Sequence, residues 1–241
     1  MNLNDSKGNF FAVVGPSGAG KDSLMDGARL ALPKTQYVFA KRVVTRPPGQ
    51  IGEIYDSCPL DTFLKLERAG EFLITWKAHD LRYALRQHLV TEQAAGKHII
   101  ANCSRQSIAQ LALKVNNLIV LSIDASPTVL AQRLRHRGRE TAQEIEQRLQ
   151  RETPIFPTDI KVRRVDNNGT LAQGQQNFMD ALQEFTERKR YLRKRGSSVT
   201  RHLLIRHWAT SFSYDARGKS GAKQNNPSAR QDKHRHILVK P

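Results

Sequence analysis

The stretch Gly15-Pro16-Ser17-Gly18-Ala19-Gly20-Lys21 constrains this chain more than any other. It follows an apolar run, Phe10-Phe11-Ala12-Val13-Val14, and precedes a segment from Leu24 to Leu32 with helical patterning. Strand, glycine loop and helix in that order turn a G-x-x-x-x-G-K match into a phosphate site. The glycines let backbone N–H groups converge on one concavity, and the helix N-terminus adds partial positive charge. The backbone from Gly15 through Pro16, Ser17, Gly18, Ala19 and Gly20, with the ammonium of Lys21, is expected to hold the phosphates of a nucleoside triphosphate. The competing reading is a tight strand–helix turn that matches by chance.

One position departs from the usual pattern. The residue after the lysine is normally Ser or Thr, whose hydroxyl ligates Mg²⁺. Here it is Asp22, followed by Ser23. A carboxylate is also a good ligand for a hard cation. Asp22, directly or through a water, and Ser23 are therefore the candidate metal residues.

Short apolar runs at 9–14, 36–40, 71–76, 97–102, 118–123 and 162–165 read as strands. Helical patterns at 22–32, 60–69, 86–95, 105–114, 127–136, 142–152 and 170–190 alternate with them. The alternation predicts a mostly parallel sheet covered on both faces. Phosphates belong at the C-terminal edge of such a sheet, where the loop at 15–23 begins. The two cysteines, Cys58 and Cys103, lie far apart and form no C-x-x-C pair. This argues against a disulfide framework or a zinc site and fits a reducing, cytoplasmic compartment. The N-terminal apolar run lacks a basic flank and a small-residue cleavage pattern, and no stretch is long enough to span a bilayer.

Basic residues gather at three further places. Arg42 and Arg46 flank Thr45, ahead of Pro47 and Pro48, which stop any helix there. Two arginines beside a loop suit bidentate capture of a second phosphate group. The segment Glu71-Phe72-Leu73-Ile74-Thr75-Trp76-Lys77-Ala78-His79-Asp80-Leu81-Arg82-Tyr83 is expected to begin as a strand and end as a polar loop. His79, Asp80, Arg82 and Tyr83 are candidates to line an acceptor pocket. Asn102, Ser104 and Arg105 stand where a parallel strand gives way to a helix, with a helix cap as the plainer role for Ser104. The run Arg133-Leu134-Arg135-His136-Arg137-Gly138-Arg139, with Arg148 beyond it, fits a mobile flap. Arginines on such a flap can stabilise a transferring phosphoryl group and exclude water on closing. A salt-bridged helical face with Glu140, Glu144, Glu146 and Glu152 is the alternative. Finally, Asn167-Asn168-Gly169 is a turn that either contacts a nucleotide or only caps the last helix.

Taken in order, these pieces resemble the nucleoside monophosphate kinase architecture, and within it the guanylate kinase-like branch. The resemblance is greatest to the ribose 1,5-bisphosphate phosphokinases of bacterial phosphonate breakdown. It rests on Gly15 to Leu24 with Asp22 after the lysine, Arg42-Val-Val-Thr-Arg46, Gly52-Glu53, Trp76-Lys-Ala-His79, Asn102-Cys-Ser-Arg105, the arginine run from 133 to 139, and Asp166-Asn-Asn-Gly169. It covers about residues 8–186. It implies an α/β fold of the P-loop nucleoside-monophosphate-kinase type, a parallel sheet flanked by helices, with a mobile arginine flap. It implies ATP-dependent transfer of the γ-phosphoryl to ribose 1,5-bisphosphate, giving 5-phosphoribosyl 1-diphosphate, with Mg²⁺ as the metal. Lys21, Arg137, Arg139 and Arg148 are then catalytic, and Arg133 and Asn167 join the loop in holding ATP. Arg42, Thr45, Arg46, Glu53, His79, Tyr83, Asn102, Ser104 and Arg105 hold the phosphorylated ribose.

Guanylate kinases hold guanine with a glutamate in the strand near 72–76, and counting forward from Phe72 places Ile74 there. An apolar residue cannot accept the guanine N–H groups, which disfavours GMP as acceptor. A nucleoside monophosphate kinase and a catalytically weak binding module remain the alternatives. The chain departs from the family pattern at Asp80 and Ala84, where glycines are usual, and at Ile54-Tyr55.

The kinase domain is expected over 1–186, with 187–241 as a basic, largely disordered extension. Residues 1–186 hold 24 Lys+Arg against 19 Asp+Glu, whereas 187–241 hold 15 against 3. The strong positive charge therefore belongs mainly to the extension and does not mark the whole chain as nucleic-acid binding. Nucleic-acid contact through the tail and a homodimer are both left open by the sequence.

Overall fold

The computed structural model describes residues 7–47, 55–78, 80–137 and 156–195, without the side chains of 137 and 188–195. The chain divides into two compact units, Met1–Ser197 and Ser198–Pro241. The second lies wholly outside the described residues, as does the helix expected over 142–152.

In the first unit Phe10–Val14 (β1) runs into the glycine loop and then Lys21–Ala31 (α1). Tyr37–Phe39 (β2), Arg42–Val44 (β3), Tyr55–Ser57 (β4), Leu60–Arg68 (α2), Phe72–Ala78 (β5), Leu81–Arg86 (β6) and His88–Ala94 (α3) follow. His98–Asn102 (β7), Ile108–Ala112 (α4), Leu118–Asp124 (β8), Pro127–Arg137 (α5), Lys161–Asp166 (β9) and Leu171–Arg195 (α6) complete it. The last helix runs beyond residue 186, through the basic segment that follows it.

Five strands form a parallel sheet in the order β2-β7-β1-β8-β9. All five residues of β1 are buried, as a central strand covered on both faces requires. Its side chains alternate between two cores. Phe11 and Val13 pack with Leu24, Met25 and Ala28 of α1 and with Phe178, Ala181 and Leu182 of α6. Phe10, Ala12 and Val14 pack with Leu89 of α3, Ile108 and Leu111 of α4, and Leu73, Ile74 and Leu85 from β5 and β6.

The run at 71–76, expected in this parallel sheet, belongs to a second one. Its order is β4-β3-β6-β5, with β3 and β5 antiparallel to β6 and β4 parallel to β3. The segment expected to end as a polar loop is instead a tight hairpin, in which Ala78 pairs with Leu81, Lys77 with Arg82 and Trp76 with Tyr83. Its turn carries no glycine, which hid it in the sequence. Asp80 adopts the left-handed conformation there, with φ 60°, a region that favours glycine but admits Asp. Val43, Phe63, Phe72 and Ala84 form a small separate core between this sheet and α2.

Ile74 lies in the core between the two sheets and is 1% exposed. It lines no acceptor pocket, so the argument against a guanine acceptor drawn from that position falls away. The register of β5 shifts between Phe72 and Ile74, and a count along an irregular strand misplaces which side chain faces which side.

Candidate active site

The loop leaves β1 at the C-terminal edge of the parallel sheet and closes into α1 at Gly20. That residue caps α1 with φ 85°, and no side chain caps the helix. The first N–H groups of α1 therefore keep their capacity for an anion. A Cβ on Gly20 would stand 2.6 Å from Asn167 Nδ2, and one on Gly15 would stand 2.6 Å from the Ile123 carbonyl oxygen. The loop is thus pressed against the ends of β8 and β9, and side chains at these two positions are excluded. Lys21 Nζ donates to the carbonyl oxygens of Gly15 at 2.9 Å and Pro16 at 3.0 Å. The ammonium arches back over the loop's own concavity.

Asn167, expected to touch the nucleotide, braces the loop from behind. Its Nδ2 donates to the Ala19 carbonyl at 2.7 Å, and its backbone N–H donates to the Asp124 carbonyl at 2.8 Å. Arg133 Nη1 is buried without a hydrogen-bond partner among the described residues, and it lies 3.8 Å from where a Gly20 Cβ would be. A buried guanidinium N–H left unsatisfied beside a phosphate loop is a donor awaiting an anion. Arg133 thus stands beside the glycine loop.

Asp22 is half-buried on the first turn of α1, and its Oδ1 accepts from Asn102 Nδ2 at 3.0 Å. Ser23 is exposed on the same helix. Asn102 closes β7, the strand beside β1, and is 4% exposed. It was expected among the acceptor residues, and its side chain meets Asp22 on the loop helix. Among the described residues no three His, Cys, Asp or Glu side chains gather into an all-protein metal cage. A Mg²⁺ ion carried on nucleotide phosphates needs only one or two protein carboxylates. Asp22, a hard anionic donor beside the phosphate loop, fits that requirement.

The acceptor-side residues come mostly from the second sheet. Arg42 on β3 is half-buried, with its Nε out of reach of solvent. Burial pulls its pKa down, and the charges of Asp22 and Tyr83 oppose that shift. Its guanidinium sits 5.0 Å above the Tyr83 ring. Arg46 Nη2 donates to Tyr83 Oη at 3.4 Å, and the Arg46 guanidinium lies 5.6 Å from the Tyr55 ring. Tyr83 itself is 5% exposed and stacks on Trp76, with centroids 5.5 Å apart and planes 9° from parallel. Two cations are thus held around one immobilised aromatic ring, in cation–π contact and by hydrogen bonding. Trp76 and Tyr55, named in the sequence only within motifs, are supporting residues here. The signal for Trp76 was the cross-strand pairing of 76 with 83, invisible while 77–83 was read as a loop.

Thr45 and Ser104 have local duties. Thr45 Oγ1 accepts from the Arg82 backbone N–H at 2.9 Å and ties β3 to β6. Ser104 Oγ accepts from the Gln106 N–H at 3.3 Å, which is the cap role. Arg105 opens the short 3₁₀ turn after β7. A cleft walled by Thr45, Leu60, Lys77, Asp80 and Arg82 opens at the hairpin. Glu53, His79, Arg139 and Arg148 lie outside the described residues, and of Arg137 only the backbone, at the end of α5, is described.

Residues 7–156 match the guanylate kinase family. The bifunctional ribose 1,5-bisphosphokinase-thymidine phosphorylase of Cupriavidus pinatubonensis is 49% identical over 175 residues, covering 73% of this chain and 29% of that protein. The chain spans less than a third of the length of such bifunctional relatives. The ribose 1,5-bisphosphate phosphokinase PhnN of Agrobacterium fabrum is 39% identical over 173 residues, 71% of this chain and 94% of that protein. The PhnN of Brucella melitensis is 40% identical over 185 residues, 76% of this chain and 96% of that protein. With a phosphate loop at the edge of a parallel sheet, a paired-arginine second sheet and relatives matched over nearly their whole length, this chain belongs to the guanylate kinase family, among its ribose 1,5-bisphosphate phosphokinases.

Proposed function

We propose that the protein is a Mg²⁺-dependent kinase of the cytoplasm that transfers the γ-phosphoryl of ATP to the 1-phosphate of ribose 1,5-bisphosphate. The products are 5-phosphoribosyl 1-diphosphate and ADP, a step suited to phosphonate breakdown. The observation that carries this reading is identity of 39–40% over 94–96% of the two PhnN proteins. The arrangement of charge supports it. An oxygen of the acceptor's 1-phosphate attacks the γ-phosphorus, a new P–O–P bond forms, and the bond to the β-phosphate oxygen breaks. Little covalent chemistry falls to the protein, so positioning and charge stabilisation dominate.

In this reading the loop N–H groups, Lys21 and Arg133 hold the triphosphate. Lys21 leaves the carbonyls of Gly15 and Pro16 for the outer phosphates. Asp22 holds the metal, which when bound neutralises phosphate charge. Arg42 and Arg46, steadied by Tyr83, hold the acceptor, and the arginines at 137, 139 and 148 stabilise the moving group. A sugar bisphosphate brings two phosphates and no base, which suits a cation-rich acceptor side.

The test is ATP-dependent product formation with ribose 1,5-bisphosphate, with GMP and AMP in parallel. Turnover confined to the sugar bisphosphate is the expected result. Turnover with GMP instead would overturn the acceptor assignment. Lys21→Ala is expected to lose ~10²–10³-fold in kcat with an unchanged far-UV spectrum, and full activity in that variant would sink the assignment of the loop.

A further inference from the structure

In phosphate-loop enzymes the metal ordinarily sits between a Ser or Thr hydroxyl next to the loop lysine and an aspartate from a neighbouring strand. One anion and one neutral group share the work. In this chain the helix position carries the carboxylate, Asp22, and the strand position carries the neutral side chain, Asn102. The two are in direct contact, with Asn102 Nδ2 3.0 Å from Asp22 Oδ1. Asn102 sits at the end of β7, one strand from the loop, in register with Val13.

The direction of this bond is fixed by chemistry, because an ionised carboxylate only accepts. The amide must therefore present its nitrogen to Asp22. The bond engages Oδ1 and restrains rotation of the carboxylate, on which the Arg42 charge also acts, while Oδ2 keeps its lone pairs for a ligand. An aspartate at 102 would have the same shape but opposite consequences. Two carboxylates 3 Å apart repel, and the donor that holds Asp22 is lost. Once position 22 is a carboxylate, position 102 must be a neutral donor of aspartate's size. Asparagine meets that requirement, and the summed charge of the pair stays at one negative.

We propose that Asn102 is a positioning residue for the metal–nucleotide half of the site, which aims the Asp22 carboxylate by donating to Oδ1, and that Asp22 with Asn102 is the usual hydroxyl–aspartate pair with its chemistries exchanged. This rests on the reading of Asp22 as the Mg²⁺ ligand.

The experiment measures equilibrium ATP binding to the full chain by calorimetry, without acceptor, once with Mg²⁺ and once with EDTA. The ratio of the two affinities is the readout, and no turnover is involved. Wild type is expected to bind more tightly with Mg²⁺, and Asp22→Asn to erase the difference. Asn102→Ala is expected to shrink the ratio by roughly tenfold, the worth of one charge-assisted hydrogen bond, while affinity in EDTA stays near wild type. A general packing defect would lower both affinities alike. Asn102→Asp keeps the shape and is expected to shrink the ratio as well. The double variant Asp22→Ser with Asn102→Asp restores the ordinary arrangement and is expected to recover most of it.

If Asp22→Asn erases the ratio but Asn102→Ala and Asn102→Asp leave it intact, the positioning role is overturned and the metal reading stands. A ratio that survives in Asp22→Asn overturns the metal reading itself. A double variant no better than Asn102→Asp alone overturns the exchange.

Discussion

Asp80 and Cys103 show what single side chains concede and gain. Asp80 holds φ 60° in a two-residue turn, where glycine avoids the Cβ clash that every L-residue pays to some degree. Asp80→Gly is therefore expected to raise stability by up to ~1 kcal/mol, with part of the relief offset by the freer unfolded chain. Urea denaturation of the two proteins side by side measures it. Burial pushes the Cys103 thiol up to about 12, with the Arg42 guanidinium pulling the other way. In the unfolded chain the same thiol ionises near pH 8.5. Between those values the unfolded state has lost a proton that the folded state keeps, so stability falls as pH rises. The expected slope from this group approaches about 1.4 kcal/mol per pH unit above pH 9. In Cys103→Ala that part of the slope disappears, and the comparison of the two pH profiles cancels the contributions of lysines and tyrosines.

At the scale of elements, the β5–β6 hairpin carries Tyr83 of the proposed acceptor side and is the part hardest to see in the sequence. The parallel sheet was legible because four of its five strands are short apolar runs; the edge strand β9, Lys-Val-Arg-Arg-Val-Asp, is the exception. The loop at 15–21 was legible because its motif requires its flanks. The hairpin was not, because Lys77, Asp80 and Arg82 break its apolar alternation and Asp80 stands in for the glycine that would have announced a turn. The position of Ile74 failed for a related reason, since a shift in strand register cannot be counted from one end. Asn102 and Asn167 were singled out correctly as polar residues at strand ends. Which neighbour each one faces depends on the strand order β2-β7-β1-β8-β9, a long-range property. The hairpin also makes a separable prediction. Tyr83→Phe removes the hydroxyl that receives Arg46 but keeps the ring that stacks on Trp76 and lies beneath Arg42. The KM for the acceptor is expected to rise by ~2–10-fold and the KM for ATP to stay unchanged. Steady-state kinetics with each substrate varied in turn distinguishes the two.

At the scale of the whole molecule, the substrate residues and the strong positive charge fall in different parts of the chain. The proposed site draws on residues from 15 to 167, whereas 15 of the 39 Lys and Arg lie in 187–241. A chain stopped after Ser197 keeps the last helix, Leu171–Arg195, entire. Its kcat is expected to stay within about twofold of the full chain, measured at equal concentration and ionic strength. A large loss would give the basic extension a part in turnover.

The brace from Asn167 to Ala19 joins residues 148 positions apart, and it has a consequence for the order in which a ribosome delivers the chain. The glycine loop emerges first, complete in its own residues. Its support arrives only when β9 has been made and paired with β8, and the covering residues Phe178, Ala181 and Leu182 come later still. A chain arrested between β8 and β9 therefore carries the whole phosphate-loop motif without the Asn167 brace. The motif is among the first parts synthesised, and the side chain that braces it follows 148 residues later.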